Sequence, residues 1–260
     1  MSYPIRDTRR TIIALLAFIA GGAVPIQLVT LSFGYAQYVR KVGMGPRVIA
    51  VAHEFAAWYI PLIYLPAIVL LVAIAIHSKQ RYPDIFRRIG VGLGMGAVAT
   101  IALDTARQAG VIHGWLPADT FVMFGKMATG SSSFSVFYPA GILVHYLNGA
   151  NFGLFYSFVW GKRKSYTAAV GWATFWLLLV ELGMMTLPPM APIVGPFGIN
   201  FAWPQLFLLT LVAHVMFGVT LGLLVQHFLS NEDRAWLVPF LLGQSTLTTS
   251  PPSSAAPTED

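Results

Sequence analysis

Two stretches decide how this chain folds: Phe134–Trp160, FSVFYPAGILVHYLNGANFGLFYSFVW, and Phe201–Leu229, FAWPQLFLLTLVAHVMFGVTLGLLVQHFL. Each carries a histidine followed at the fourth and eighth positions by glycine, His145, Gly149, Gly153 in one and His214, Gly218, Gly222 in the other. Residues i, i+4 and i+8 lie on nearly one face of an α-helix. Each stretch therefore reads as a helix with a glycine groove and an imidazole at its head, and the two read as copies of one packing device. The rest of the chain is expected to gather around them.

Composition sets the class. Of 260 residues, 56% are hydrophobic and only 10% charged, and the mean hydropathy is +0.68. A soluble domain carries about 25% charge. The expected fold is therefore all-α, a polytopic transmembrane helix bundle of about six spans over residues 1–230, followed by a mostly disordered cytoplasmic tail over 231–260. There is no cysteine, which excludes disulfides, thiolate metal sites and thiol catalysis. The net charge of +6 is spread in short basic clusters between apolar runs, which is how membrane topology is written rather than nucleic-acid binding. The lipid bilayer is the expected partner, with other membrane subunits as further candidates and no nucleic acid.

Working outward, Arg6, Arg9 and Arg10 precede an apolar run from Thr11 to Phe33, longer than the ~7–15 residue core of a signal peptide, so it reads as a retained first span. Gly21, Gly22 and Pro25 are expected to bend it. The second span runs from about His53 to Ile76 and contains Pro61 and Pro66. Its His53-Glu54 pair does not begin a zinc-protease motif, because Ala57 stands where the second histidine is required. The third span, Ile89 to about Ala106, contains G-x-G-x-x-A at Gly92, Gly94 and Ala97, but inside an apolar helix this is no dinucleotide fingerprint. Gly92 and Gly96 offer instead a small-residue packing face. Asp104 and Arg107 follow at i, i+3 and can pair on one face. Asp119 to Thr129 reads as a short interfacial helix. The remaining spans are the first His-Gly helix, a fifth from about Tyr166 to Leu187 containing Glu181, and the second His-Gly helix.

The D-x-x-R-x-x-G element (Asp104, Arg107, Gly110), the Leu116-Pro117 and Phe124-Gly125 pairs and the two His-x-x-x-Gly-x-x-x-Gly helices together resemble uncharacterised bacterial inner-membrane proteins with several spans. The resemblance covers roughly Ile89 to Leu229. It implies a bacterial inner-membrane setting and carries over no substrate and no catalytic residue.

Basic residues set the expected orientation. The amino terminus, the Lys79–Arg88 loop, the Lys162–Lys164 turn and the tail share one side and outnumber Arg40, Lys41, Arg47 and Lys126 on the other, so both termini are expected in the cytoplasm. At ~1.5 Å per residue, His145 and His214 then fall near the middle of a ~30 Å hydrocarbon core. Glu181, Asp104, Arg107, His53 and Glu54 fall toward the outer surface. A buried ionisable group costs ~2.5–3.5 kcal/mol even on lenient insertion scales, so these side chains are expected to face one another or water.

Four readings of the polar set follow. On the structural one, His145 and His214 fix helix register, Asn148 and Asn151 are interhelical donors, and the glycines only allow close approach. On the second, His145 and His214 ligate a shared centre, haem b or a divalent metal ion, with Glu181 or Asp104 completing a metal site. The third is a solute or proton path through carboxylates and imidazoles. The fourth is an enzyme acting on a lipid or quinone, using Asp104 and Arg107 or Glu181 as acid and base. Asp104, Arg107, Asn148, Asn151, His53 and Glu54 form the expected polar pocket.

Overall fold

The structure, a computed structural model, describes residues 8–231 and residue 233. Arg6 and nearly all of the expected tail lie outside the described residues. Every regular element among those described is helical: α1 (Thr8–Val39), α2 (Arg47–Arg81), α3 (Pro83–Ile112), α4 (Thr120–Thr129), α5 (Phe134–Val159), α6 (Tyr166–Thr186) and α7 (Gln205–Phe228), with a single turn at Ala191–Val194. Five of the long segments (the one built on α6 running on to Val194) are long and apolar enough to cross a membrane. α5 has 26 residues, or ~39 Å at 1.5 Å per residue, but His145, Asn148 and Asn151 lower its hydropathy. The six-span reading counts α5 by its length and its place in the bundle.

The proline and glycine breaks expected in the first two spans are resolved as π-helical turns. Ile19–Ala23 contains Gly21 and Gly22 and precedes Pro25, and Ile60–Tyr64 contains Pro61 and precedes Pro66. A proline leaves the carbonyl four residues back without its donor, and a wide turn re-pairs the ladder around the gap.

α3 and α5 form the centre. They pack along their lengths, α4 lies against α5, and α7 lies against both α3 and α6, whereas α5 and α7 barely touch. The glycines explain these distances. A Cβ on Gly96 would stand 2.3 Å from the Gly149 carbonyl oxygen, and one on Gly153 would stand 2.3 Å from the Gly92 oxygen. The second His-Gly helix uses its glycines in the same way on a different partner, since a Cβ on Gly218 or Gly222 would meet the backbone of Thr174 or Val170 on α6. At the α4–α5 crossing, Gly125 and Gly141 face each other's helix so closely that a Cβ on either would lie 1.8 Å from a carbonyl oxygen. The helix expected at Asp119–Thr129 is thus bound tightly into the bundle; Asp119 caps it by accepting from the Phe121 N–H.

One end of the bundle gathers the basic clusters. Arg10 pairs with Asp84, Arg87 with Asp233, and the Lys162 Nζ donates to the Leu229 carbonyl at 2.7 Å. The other end holds the proline-containing turns at Pro117 and Pro188–Pro189. Outward faces between them are apolar, with Val69, Val72 and Ile76 of α2 and Leu179 and Leu182 of α6 exposed, as a lipid solvent requires.

Alanine at Gly96 or Gly125 would drive a methyl into facing backbone, whereas a Cβ at Gly94 or Gly171 meets nothing within 4 Å. We expect Gly96→Ala and Gly125→Ala to cost ~1–3 kcal/mol and Gly94→Ala and Gly171→Ala to be neutral or stabilising, measured by thermal unfolding in detergent. Equal effects at all four sites would contradict the close crossings.

Candidate functional site

Asp104 and Arg107 occupy one face of α3 because they are three residues apart. Arg107 Nε donates to Asp104 Oδ1 at 2.7 Å, and Nη1 donates to Asp119 Oδ1 at 2.8 Å. The guanidinium carbon stands 4.1 Å from the centroid of the Phe121 ring. His145 reaches the same carboxylate from α5, with Nε2 at 3.0 Å from Asp104 Oδ1. Arg107 is only 4% exposed, yet its Nη2 has no hydrogen-bond partner among the described residues. Leaving a buried donor unmet costs ~1–3 kcal/mol, more for a charged group.

The partners fix the His145 tautomer. A carboxylate oxygen already accepting from a guanidinium is an acceptor, so the imidazole nitrogen facing it carries the hydrogen. In the neutral ring Nδ1 then holds the lone pair, and it makes no hydrogen bond among the described residues.

A second cluster joins α6 and α7. Glu181, 1% exposed, accepts from the Thr210 hydroxyl at 2.6 Å. His214 Nδ1 stands 2.9 Å from the Thr210 carbonyl oxygen and 2.9 Å from Glu181 Oε2. The N–H points along the helix at the carbonyl, and Oε2 is close without hydrogen-bond geometry. With a carbonyl oxygen beside it, Nδ1 must carry the hydrogen, and Nε2 is left with the lone pair in the neutral ring.

Both clusters border one cavity of about 330 Å³. His145, Arg107 and Asn148 line it on one side and His214 and Thr210 on another, while Asp104 and Glu181 do not reach it. Each carboxylate is therefore set behind its imidazole. The remaining walls are mainly apolar, including Leu103, Phe124, Phe152, Trp176 and Phe217, and the proline turns Leu116–Ala118 and 187–190 close the end away from the basic clusters.

The structure thus brings Asp104, Arg107, His145 and Asn148 together, and Glu181 and His214 together, around one space. It places three other expected pocket residues elsewhere. His53 Nδ1 lies 2.9 Å from the Met127 carbonyl oxygen and its ring packs over Gly130, the left-handed residue that ends α4. Glu54 is exposed and accepts from Arg40 and from the Tyr35 hydroxyl. Asn151 is fully buried and does not border the cavity, and its amide lies by the Tyr64 side chain. Two contributors were not anticipated, Asp119 and Thr210. Thr210 lies four residues before His214, a spacing that puts its carbonyl within reach of the imidazole. Asp119 gave no signal beyond its helix-capping position, because its pairing with Arg107 depends on how α4 folds back.

Among the described residues, no group of three or more His, Asp and Glu side chains is placed to hold a metal ion. The two histidine-bearing helices flank α3 rather than each other. Compared with protein-family models, characterised proteins and solved structures, the chain matches none.

Removing Asp104 would leave Arg107 and His145 buried without their shared acceptor. Asp104→Ala is expected to cost ~3–5 kcal/mol of stability, whereas Glu54→Ala, which breaks an exposed pair, leaves the unfolding temperature unchanged. Thermal unfolding of the two variants side by side checks this, and similar losses in both would contradict the buried network.

Proposed function

We propose that this protein binds a lipid-soluble small molecule in the cavity between α1, α3, α5, α6 and α7, with an acceptor oxygen of the ligand on Arg107. The observation that carries the reading is an apolar cavity on which Arg107, Asn148, His145 and His214 converge, with the 4% exposed Arg107 keeping one donor, Nη2, unmet among the described residues. A buried cation is stable only when its donors are satisfied. A ligand carbonyl, hydroxyl or carboxylate oxygen that reaches Arg107 from the cavity supplies that guanidinium with a further acceptor. Apolar walls with a few convergent polar groups are the usual character of a small-molecule site, and the surrounding apolar helices favour a ligand dissolved in the bilayer.

The setting is a bacterial inner membrane with both termini in the cytoplasm. The clustering of Arg10, Arg87, Lys79, Arg81 and Lys162 toward one end of the bundle supports that orientation, on which the cavity lies in the outer half of the bilayer. Reporter fusions at Arg163 and after Asp233 are expected to read as cytoplasmic, and an outside signal at either reverses the orientation.

A second reading, haem or a metal on His145 and His214, draws on one observation. Each imidazole turns one ring N–H toward a carboxylate or a carbonyl, as metal-ligating histidines do. It predicts a Soret band or stoichiometric bound metal in the purified protein, lost in both His145→Ala and His214→Ala.

The cavity reading is tested by mass spectrometry of organic extracts of the purified protein. The wild type is expected to yield one compound near one per chain above bulk lipid. Gly183 borders the cavity and a Cβ there meets nothing within 4 Å, so Gly183→Leu is expected to lose that compound while keeping its unfolding temperature. A wild-type extract containing only bulk lipid would overturn the reading.

A further inference from the structure

Resting on that cavity, we infer that its ligand is a hydroquinone, an aromatic ring with a hydroxyl at each end and an apolar tail, which enters from the bilayer between α1 and α6. The polarity of the two imidazoles carries the assignment. His145 turns its N–H to Asp104 and His214 turns its N–H to the Thr210 carbonyl, so in the neutral rings both present lone pairs, at Nδ1 and Nε2. Both residues border the cavity. A site with two acceptors recognises a ligand with two donors, and a carbonyl at either place would face a lone pair.

The two acceptors stand on helices that flank α3 and barely meet, so the ligand's hydroxyls lie at separated positions. Arg107 and His145 share the Asp104 carboxylate and both border the cavity, and a hydroxyl is an uncharged group that can donate to an imidazole and accept from a guanidinium through the same oxygen. Between the polar corners, Phe152, Trp176 and Phe217 border the space, which suits a flat ring.

The route in follows from what the walls do not touch. Ile26 and Thr30 of α1 and Leu179 and Gly183 of α6 border the cavity, yet α1 and α6 meet at most at isolated points. Leu179 is exposed on the outer face of α6. An entry at that place faces the apolar surface, so the tail can stay in lipid while the ring occupies the site.

The test uses wild-type protein in lipid nanodiscs, under anaerobic conditions, titrated with a short-tail benzoquinol and separately with its quinone, followed by calorimetry and by quenching of tryptophan fluorescence. The quinol is expected to bind once per chain and at least about tenfold more tightly than the quinone, the ratio that one ordinary hydrogen bond supplies. Gly183→Leu is expected to abolish binding of both. His214→Phe and His145→Phe are each expected to shrink the quinol preference. Equal affinities, or a tighter quinone, would overturn the assignment. Failure of both probes to bind to protein that still yields a stoichiometric extractable compound would overturn the quinol class and leave the cavity reading standing. Failure of both with no such compound would remove the two together.

Discussion

The backbone contact between α3 and α5 is the constraint on which the rest depends. Gly92 and Gly96 on one helix meet Gly149 and Gly153 on the other with no room for a single Cβ. In a bilayer there is little hydrophobic gain from joining two helices, so close packing and polar contacts must supply the association. Close approach also sets the reach of the side chains beyond the glycines. His145 stands one turn before Gly149, and only with the helices this close does its ring lie 3.0 Å from Asp104. A larger residue in the crossing would separate the pair and strand two polar groups in an apolar interior.

The charged groups are kept by mutual satisfaction. Arg107 donates to two carboxylates and lies over an aromatic face, which distributes its positive charge before any ligand is present. Asp119 does two tasks with one oxygen, accepting from Arg107 and from the Phe121 N–H that starts α4. The short helix, the salt bridge and the roof of the cavity are therefore mechanically linked. On the opposite wall Thr210 plays a comparable part, its hydroxyl on Glu181 and its carbonyl on His214. Two unrelated local devices thus produce the same outcome, a carboxylate held away from the cavity and an imidazole turned toward it.

Aromatic side chains space the helices that glycines do not draw together. Phe155 stacks on Trp176 with ring centroids 4.2 Å apart, and Trp160 stacks on Trp172, so α5 and α6 communicate through a layer of rings rather than through backbone. The consequence is open volume near Trp176 and Phe152 where α3, α5 and α7 would otherwise have closed. Glycine crossings on two sides and aromatic spacers on the third account for a cavity of this size inside the bundle.

The sequence alone determined the all-helical membrane class, because composition and unbroken apolar runs report directly on the solvent a chain is built for. It also determined the glycine faces and the Asp104–Arg107 pair, since those depend on a 3.6-residue repeat within one helix. Only the tertiary structure decided the partners across helices. That His145 meets Asp104 while His214 meets Glu181, that α3 stands between the two histidine-bearing helices, and that His53 and Glu54 lie apart from the cavity depend on which faces abut. Depth along the membrane can be counted in residues, and it placed His53, Glu54, Asp104 and Arg107 at similar heights. Lateral position cannot be counted that way, because it comes from the packing of all the described helices at once.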